Sequence, residues 1–365
     1  MSTIKTNPHR AVDYSESGIK KALAAAGSLE AEVKYDGVRL NLPVFPNGET
    51  LWLSRESKEL PALSWLSVPE GINQSPGEQQ KASDWRWFLR QAGYEGIGLM
   101  IDGEVMVKGV DFNTSSGLIR TKWLKPDNLK FNDVKFDEMP RKSTGAKSKL
   151  PFLLAPEHIQ VVVYGVIDLP TITSGNEGPI HSLTRLRTEA IVPLLQKHFP
   201  EIEWVLAESH TVFDLESLNS LYETKRAAGE EGLVVKDPLG KWKRGKKSGM
   251  WKMKPDDSID GTVCGLVWGT PGKANDSKVI GFEVMLEDGM VVNACGLTEA
   301  QKEEFTDKVY QFNYDNGYGD CEPHLNPYEG WQAEVAFMER FPDGSLRHPS
   351  FSQWRGTEDN PTVKS

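Results

Sequence analysis

The sequence EVKYDGVR, which begins at Glu32, constrains this chain more than any other stretch of similar length. In an extended strand, alternate side chains point to opposite faces. Glu32, Lys34 and Asp36 would then share one face, and the side chains of Val33 and Tyr35 would enter the core. The segment therefore predicts a strand that presents one amine between two carboxylates on the wall of a pocket.

An amine in this setting is a candidate nucleophile, although a free lysine has a pKa of roughly 10.4 and must lose its proton before it attacks. Neighbouring carboxylates alone would raise the pKa further, so the hypothesis requires additional cations or a metal ion close to Lys34. A second interpretation is open at this point. Asp36-Gly37 between two apolar alternating runs is also typical of a β-hairpin turn.

Composition limits the class of protein. The 365 residues are enough for two domains, and the hydrophobic content of 38% is ordinary for a globular protein. There is no apolar run long enough to cross a membrane, and the first twenty residues lack the apolar core of a signal peptide. The three cysteines form no Cys-x-x-Cys pair, which argues against a structural zinc site. We expect a soluble, cytoplasmic protein, in the host cytoplasm if the gene belongs to a phage.

The charge is unevenly distributed. The net charge is −10 and the isoelectric point about 5.4, which argues against nucleic-acid binding. Residues 241–254, however, contain seven lysines and arginines and no acidic residue, and Trp242 and Trp251 within this run predict one packed side. A second basic stretch, with Arg141 and Lys149, lies in residues 121–151, which we interpret as a long mobile insertion. Both stretches are candidate surfaces for phosphate groups.

Periodicity and capping residues predict the elements of the first 254 residues. The predicted helices cover about 15–27, 86–92, 182–199 and 214–229. The predicted strands cover about 30–45, 50–55, 99–108, 160–167 and 233–237.

The pattern changes after Lys254. Short strands are predicted at 261–268, 279–286, 290–294 and 331–341, with one helix that begins at the capping box Thr298-x-x-Gln301. This combination is typical of a small Greek-key barrel of the OB type. The predicted organisation is a first domain at 1–254, a linker at 255–260, an OB-fold domain at 261–355 and a tail at 356–365.

Five further motifs follow the lysine segment in order. They are Ser54-Arg55, Asp102-Gly103-Glu104, Tyr164, Glu231 to Lys236 (EGLVVK) and Trp251 to Lys254 (WKMK). Together they resemble the motif set of the covalent nucleotidyltransferases, which include ATP-dependent DNA ligases, RNA ligases and mRNA capping enzymes. The chain is most similar to the short two-domain ATP-dependent DNA ligases of bacteriophages, over essentially its whole length. Phrases outside the catalytic motifs match as well, at residues 107–114, 243–249 and 342–351.

This resemblance implies an α+β fold: a nucleotidyltransferase (adenylation) domain with antiparallel sheets and flanking helices, followed by an OB-fold β-barrel. It implies that Lys34 attacks the α-phosphorus of ATP and holds AMP as a phosphoramidate. The residues implied to contact ATP are Glu32, Arg39, Arg55, Glu104, Tyr164, Lys236, Lys246, Lys252 and Lys254. Within this set, Glu32 would bind the adenine amino group and Tyr164 would stack on the base. The implied Mg²⁺ ligands are Asp36, Glu104 and Glu231, whose hard oxygens suit this ion.

The chain departs from the family pattern at its last motif. That motif is commonly an arginine followed by Asp-Lys, whereas Arg355 is followed here by Gly356, and Arg347 is the other candidate. The residue that orients pyrophosphate is therefore left open.

The sequence favours ATP over NAD, because an NAD-dependent ligase would have an additional N-terminal domain and a four-cysteine module. An RNA ligase, a capping enzyme and a non-catalytic protein that binds DNA ends are the alternatives. We expect a monomeric DNA ligase that seals 5′-phosphate/3′-hydroxyl nicks in double-stranded DNA, with ATP and Mg²⁺ as cofactors.

Overall fold

A computed structural model describes residues 4–71, 74–132, 142–144, 147–255, 257–319, 323–341, 343–357 and 359–363. They form two compact units. The first comprises the described parts of Met1–Val12, Lys21–Thr211 and Lys236–Met250, and the second those of Asp13–Lys20, Val212–Val235 and Trp251–Ser365. Much of the predicted insertion, including Arg141 and the side chains of 142–148, lies outside the described residues, as does Cys321.

Seven α-helices occur in the described residues. They are α1 (Glu16–Ala26), α2 (Pro76–Ala92), α3 (Phe112–Arg120), α4 (Leu169–Ser174), α5 (His181–His198), α6 (Leu215–Ala227) and α7 (Glu299–Asn313). None of them has the length and apolar character needed to cross a bilayer.

The strands of the first 254 residues are β1 (His9–Val12), β2 (Leu29–Lys34), β3 (Val38–Val44), β4 (Leu53–Ser54), β5 (Leu99–Val107), β6 (Lys142–Thr144), β7 (Lys147–Lys149), β8 (Ile159–Asp168), β9 (Glu203–Leu206), β10 (Ser209–Val212), β11 (Gly232–Lys236) and β12 (Gly245–Met253). The remaining strands are β13 (Asp257–Trp268), β14 (Val279–Leu286), β15 (Val291–Ala294), β16 (Gln332–Phe337), β17 (Glu339–Arg340), β18 (Leu346–Arg347) and β19 (Ser350–Trp354).

Two five-stranded sheets position the candidate site. Sheet A has the order β1-β12-β11-β2-β10, and sheet B has the order β4-β3-β5-β8-β9. Sheet B is antiparallel except for its last pair, β8 and β9. Its apolar side chains, such as Leu40, Ile101 and Val163, are fully buried, and burial of this kind is the main favourable contribution to folding.

The hairpin interpretation of Asp36-Gly37 is wrong, because β2 and β3 belong to different sheets. A Cβ atom on Gly37 would lie only 2.7 Å from the side chains of Glu104 and Met106. Glycine is therefore required at this crossing by close packing against β5, and the motif connects two sheets instead of two paired strands.

Two helix predictions need correction. Helix α2 is much longer than the predicted 86–92, because it begins at a capping box formed by Ser75 and Glu78 with proline at its first position. Pro76 is the first residue of this helix, ten residues before the predicted start. Helix α3 was not predicted; Asp111 caps it by accepting a hydrogen bond from the Thr114 backbone N–H at 3.0 Å.

The C-terminal sheet has the order β15-β14-β13-β16-β19 and is antiparallel throughout. Its two edge strands meet where the Phe351 backbone N–H donates to the Cys295 carbonyl oxygen at 2.8 Å, which curls the sheet toward closure. Helix α7 begins at the predicted capping box of Thr298 and Gln301. The predicted OB-type domain is confirmed. Strand β13 already starts at Asp257, inside the segment predicted as a linker.

Candidate active site

Lys34 is the last residue of β2, and Glu32 precedes it on the same strand with only 3% of its surface exposed. The predicted alternation does not continue beyond Lys34. Asp36 lies past the end of the strand and is exposed. Tyr35 is half-buried instead of entering the core, and its hydroxyl accepts a hydrogen bond from the Glu208 backbone N–H at 3.2 Å. The prediction that Asp36 shares the strand face of Lys34 is therefore wrong.

Glu32 pairs with Lys236, which lies on the neighbouring strand β11. The Lys236 ammonium donates to Glu32 Oε1 at 2.8 Å, and both side chains are largely buried. Sheet A thereby brings together two residues that are 204 positions apart in the chain. Removing either partner would leave a buried charge without compensation.

Sheet B holds a second cluster, because Arg39 on β3 is opposite Glu104 on β5. Arg39 makes a bidentate ion pair with Asp102, from Nε to Oδ1 at 2.6 Å and from Nη2 to Oδ2 at 2.7 Å. Burial by itself would lower the pKa of Arg39, but the charge and hydrogen bonds of Asp102 raise that pKa above its usual value. The guanidinium also lies 5.0 Å from the ring centre of Tyr164, within the range of a cation–π contact.

Glu104 is the buried acid of this cluster. Its Oε2 accepts a hydrogen bond from the Tyr164 hydroxyl at 3.2 Å. Burial raises the pKa of Glu104 to about 7, against the opposing effect of the positive charges of Arg39 and Lys34. Burial likewise raises the pKa of Tyr164 well above its usual value. Lys34 lies three residues before Gly37, which packs against the Glu104 side chain, so the candidate nucleophile and this carboxylate belong to the same part of the first unit.

The WKMK motif, Trp251 to Lys254, lies in the second unit. Trp251 and Met253 are buried, whereas Lys252 and Lys254 are partly exposed, as the predicted alternation requires. The ammonium of Lys254 pairs with Glu231 at 2.9 Å. Lys252 pairs in the same way with an exposed acid, Asp13, at 2.7 Å. Both lysines therefore have acidic partners that a more strongly charged group, such as phosphate, could replace.

Two predicted contacts lie on the surface. Arg55 is 61% exposed and pairs with its neighbour Glu56 at 3.3 Å. Lys246 is exposed on β12. The two candidates for the last motif are also placed: Arg347 contacts Glu16 and Tyr14, and Arg355 pairs with Asp260 and Glu334.

The arrangement of the acidic residues determines how a metal ion could bind. Within the part of the chain that the structure describes, no three acidic, histidine or cysteine residues form a preassembled metal cluster. Mg²⁺ is usually bound by only one or two carboxylates together with substrate phosphates and water. Glu104 fits this role, because a cation beside its buried carboxyl group would favour the ionised form that burial disfavours.

Sequence reasoning missed the role of Asp102 and of Asn41, which lies two residues after Arg39. Asn41 is fully buried, and its Nδ2 donates to Asp102 Oδ1 at 2.9 Å. The spacing of these residues contained a signal for this network. Arg39 and Asn41 are two residues apart and share one face of β3, and Asp102 and Glu104 are also two residues apart. Polar residues at every second position of otherwise apolar strands predict a buried polar network.

The fold and the site together define a nucleotidyltransferase-type ligase. The defining features are the two sheets with a lysine at a strand end, the buried acid–arginine cluster and the OB-type domain. Two family models match the chain: "ATP dependent DNA ligase domain" over residues 10–254 and "DNA ligase C-terminal domain" over residues 255–355. The chain belongs to the ATP-dependent DNA ligases, so it is an enzyme and ATP is its cofactor.

Relatives agree with this assignment. The chain is 48% identical to the DNA ligase of Escherichia phage T7 and 46% identical to that of Enterobacteria phage T3, in each case over 100% of both chains. The solved structure of the ATP-dependent DNA ligase from bacteriophage T7 in complex with ATP covers 96% of this chain and 99% of its own, with a TM-score of 0.83 and 46% identity. The family resemblance, the α+β fold and the DNA ligase activity expected from the sequence are confirmed.

Proposed function

We propose that this ligase seals 5′-phosphate/3′-hydroxyl nicks in double-stranded DNA through an AMP group held on Lys34. The observation that carries the proposal is the position of Lys34, at the end of β2 and three residues before Gly37, which packs against the buried Glu104. The Nζ lone pair attacks the α-phosphorus of ATP, and the bond to the β-phosphate oxygen breaks. Pyrophosphate leaves with those electrons, and the amine proton passes to solvent.

The surrounding residues would position the nucleotide. Glu32, held in place by Lys236, would accept a hydrogen bond from the adenine amino group. Tyr164 would stack on the base, and Arg39, already oriented by Asp102, would bind the sugar or phosphate with its planar donors. Fixed charge and position are the main requirements of phosphoryl-type transfer.

Lysines and arginines would bind the phosphates. The resemblance assigns Lys252 and Lys254 to the triphosphate, and Arg55 and Lys246 to nucleotide or DNA phosphates. Lys252 and Lys254 now pair with acids, and exchange of those partners for phosphate oxygens retains a charge-assisted hydrogen bond. We place Arg55 and Lys246 at the edge of the site, since both are exposed.

Glu104 is the residue that we propose as a ligand of Mg²⁺, and Asp36 and Glu231 are the further candidates that the sequence predicts. A bound Mg²⁺ ion would supply positive charge to the phosphate oxygens. Glu231 would have to exchange Lys254 for the metal, whereas Asp36 is already exposed.

The DNA-binding surface is proposed to include the basic run 241–254. Glu177 already pairs with two of its cations, Lys241 and Lys243, each at 3.2 Å. Lys246 and Lys247 are exposed on β12 and are further candidates for contacts with DNA phosphates. An enzyme of this kind would act in DNA replication, repair and recombination, as a monomer in the cytoplasm. The domain boundaries predicted above, 1–254 and 261–355 around a linker, are part of the same proposal.

The test is direct. Purified protein incubated with ATP and Mg²⁺ should gain the mass of one AMP, lose it when nicked duplex DNA is added, and leave a joined strand. A chain that gains no AMP under these conditions, or that keeps AMP after the nick is closed, would contradict the proposal.

A further inference from the structure

The N-terminal segment, residues 4–12, contacts the buried polar residues of sheet B through the side chain of Thr6. Thr6 is fully buried, and its hydroxyl donates to Asn41 Oδ1 at 2.9 Å. The backbone N–H of Thr6 donates to the Ser57 hydroxyl oxygen at 2.9 Å, and the two hydroxyl oxygens are 3.0 Å apart. Thr6 therefore connects two parts of the first unit that are distant in sequence.

The directions of these hydrogen bonds form one consistent chain. The only hydroxyl proton of Thr6 goes to Asn41, so Ser57 donates to Thr6. The Asn41 amide then donates to Asp102 Oδ1, which also accepts from Arg39 Nε. The same Asn41 amide nitrogen also donates to the Leu40 carbonyl oxygen at 3.1 Å. Buried networks with every member satisfied hold a single geometry.

The same segment also contacts Arg39 directly. Arg39 Nη2 donates to the His9 carbonyl oxygen at 3.4 Å, in addition to its bond with Asp102. Two points of the N-terminal segment therefore act on one guanidinium. At its other end, the network holds Ser57, whose backbone has the left-handed φ of 58°, in the turn that also carries Arg55.

We propose that Thr6 and Asn41 are positioning residues for ATP, which fix the Asp102 carboxylate and through it the Arg39 guanidinium. This inference rests on the proposed function, in which Arg39 contacts the nucleotide. Valine has nearly the shape of threonine but no hydroxyl, so Thr6→Val would leave Asn41 Oδ1 buried without a donor. The amide would then be held less firmly against Asp102, with the Leu40 carbonyl oxygen as its other acceptor, and Arg39 would lose part of its orientation.

The experiment measures the ATP dependence of AMP-adduct formation in single turnover. Thr6→Val should raise the half-saturating ATP concentration about fivefold with little change in the rate at saturation, because an oriented binding group is lost. Thr6→Ser keeps the hydroxyl and should behave as wild type. Thr188→Val is the matched control: Thr188 is also fully buried, and its hydroxyl bonds only to the Thr184 carbonyl within α5. It should lower thermal stability without changing the ATP dependence.

A coupling measurement separates positioning from general damage. In an Arg39→Ala background, Thr6→Val should have no further effect on the half-saturating ATP concentration. Should Thr6→Val fold poorly, Ser57→Gly removes the next hydroxyl of the network at a backbone conformation that glycine favours, and it should shift the ATP dependence in the same direction.

Equal ATP dependence of Thr6→Val and Thr188→Val would overturn the inference, as would an undiminished Thr6→Val effect in the Arg39→Ala background. A wild-type protein that forms no adduct is a different result, because it would refute the proposed function itself and leave no ATP site to position.

Discussion

The first unit and the second unit hold their functional charges in opposite ways. In the first, Arg39, Asp102 and Glu104 are largely buried and joined by several hydrogen bonds at once. In the second, the partly exposed Lys252 pairs with Asp13, an acid that is 61% exposed. Breaking a buried pair typically costs about 3–5 kcal/mol, whereas an exposed pair is worth about 0–1 kcal/mol.

This difference indicates that the two groups of charges have different roles. The buried cluster has a fixed geometry suited to a group that must be bound the same way each time, such as the nucleoside. Lys252 can exchange the exposed carboxylate of Asp13 for phosphate at little cost, which suits groups that arrive and leave during the reaction. Mutations in the buried cluster should therefore reduce stability, whereas mutations of the lysines of the second unit should reduce activity with little loss of stability.

The largest effect is expected at Lys34, the proposed site of AMP attachment. Lys34→Ala and Lys34→Arg should both abolish the AMP adduct while the protein remains folded, because a guanidinium is never deprotonated near neutral pH and cannot act as a nucleophile. Labelled ATP followed by denaturing electrophoresis measures the adduct, and circular dichroism checks the fold. A full-strength adduct in either variant would remove Lys34 from the reaction.

The buried ion pair should show the next largest effect. Asp102→Asn leaves the mostly buried Arg39 charge without its carboxylate and should cost about 3 kcal/mol of unfolding free energy. Glu189→Gln is the matched control, since Glu189 pairs with Arg185 at 2.7 Å but is 45% exposed, and it should cost less than about 1 kcal/mol. Chemical denaturation of both variants measures the change in unfolding free energy. Equal losses of unfolding free energy would contradict the contrast between buried and exposed pairs.

A pH effect of similar size should come from His9 and His181, whose rings are 5.3 Å apart. Burial lowers the pKa of His9 to about 4 and that of His181 to about 3. The unfolded chain takes up these protons near pH 6.5 while the folded protein does not, so stability is complete above pH 6.5 and is lost as the pH falls toward 4. One histidine contributes a slope of about 1.4 kcal/mol per pH unit in that window.

The pH effect can be assigned by substitution. Urea denaturation from pH 5 to 8 should show a shallower slope for His181→Gln than for wild type, while the surface variant His210→Gln should keep the wild-type slope. A His181→Gln curve parallel to wild type below pH 6.5 would show that the buried pair does not control the acid sensitivity.

The smallest stability change is expected for Lys252, a partly exposed lysine of the second unit. Lys252→Ala should alter the unfolding free energy by less than about 1 kcal/mol but slow adduct formation about tenfold, equivalent to about 1.4 kcal/mol of barrier. Lys20→Ala removes a similar exposed pair, with Glu16 on α1, and should affect neither quantity by that much. If the two variants formed the adduct at equal rates, Lys252 would have no role in binding phosphate.

Local patterns were enough to predict much of the fold and the lysine motif. The end of α1, the start of α6 at Asp214 and the capping box of α7 are each determined by residues within one turn. The alternation of buried Trp251 and Met253 with more exposed lysines follows from strand geometry alone. The family resemblance rested on motif order, which is likewise a property of the sequence.

Only the tertiary structure decided which strands pair and which polar groups are buried. The sequence does not show that β2 and β3 belong to different sheets, so the hairpin interpretation of Asp36-Gly37 was wrong. Nor does it show that Glu104 is buried or that Thr6 bonds to Asn41, 35 residues away. The reason is physical: side-chain periodicity depends on neighbouring residues, whereas burial and the partners of a buried polar group depend on which distant segments cover it.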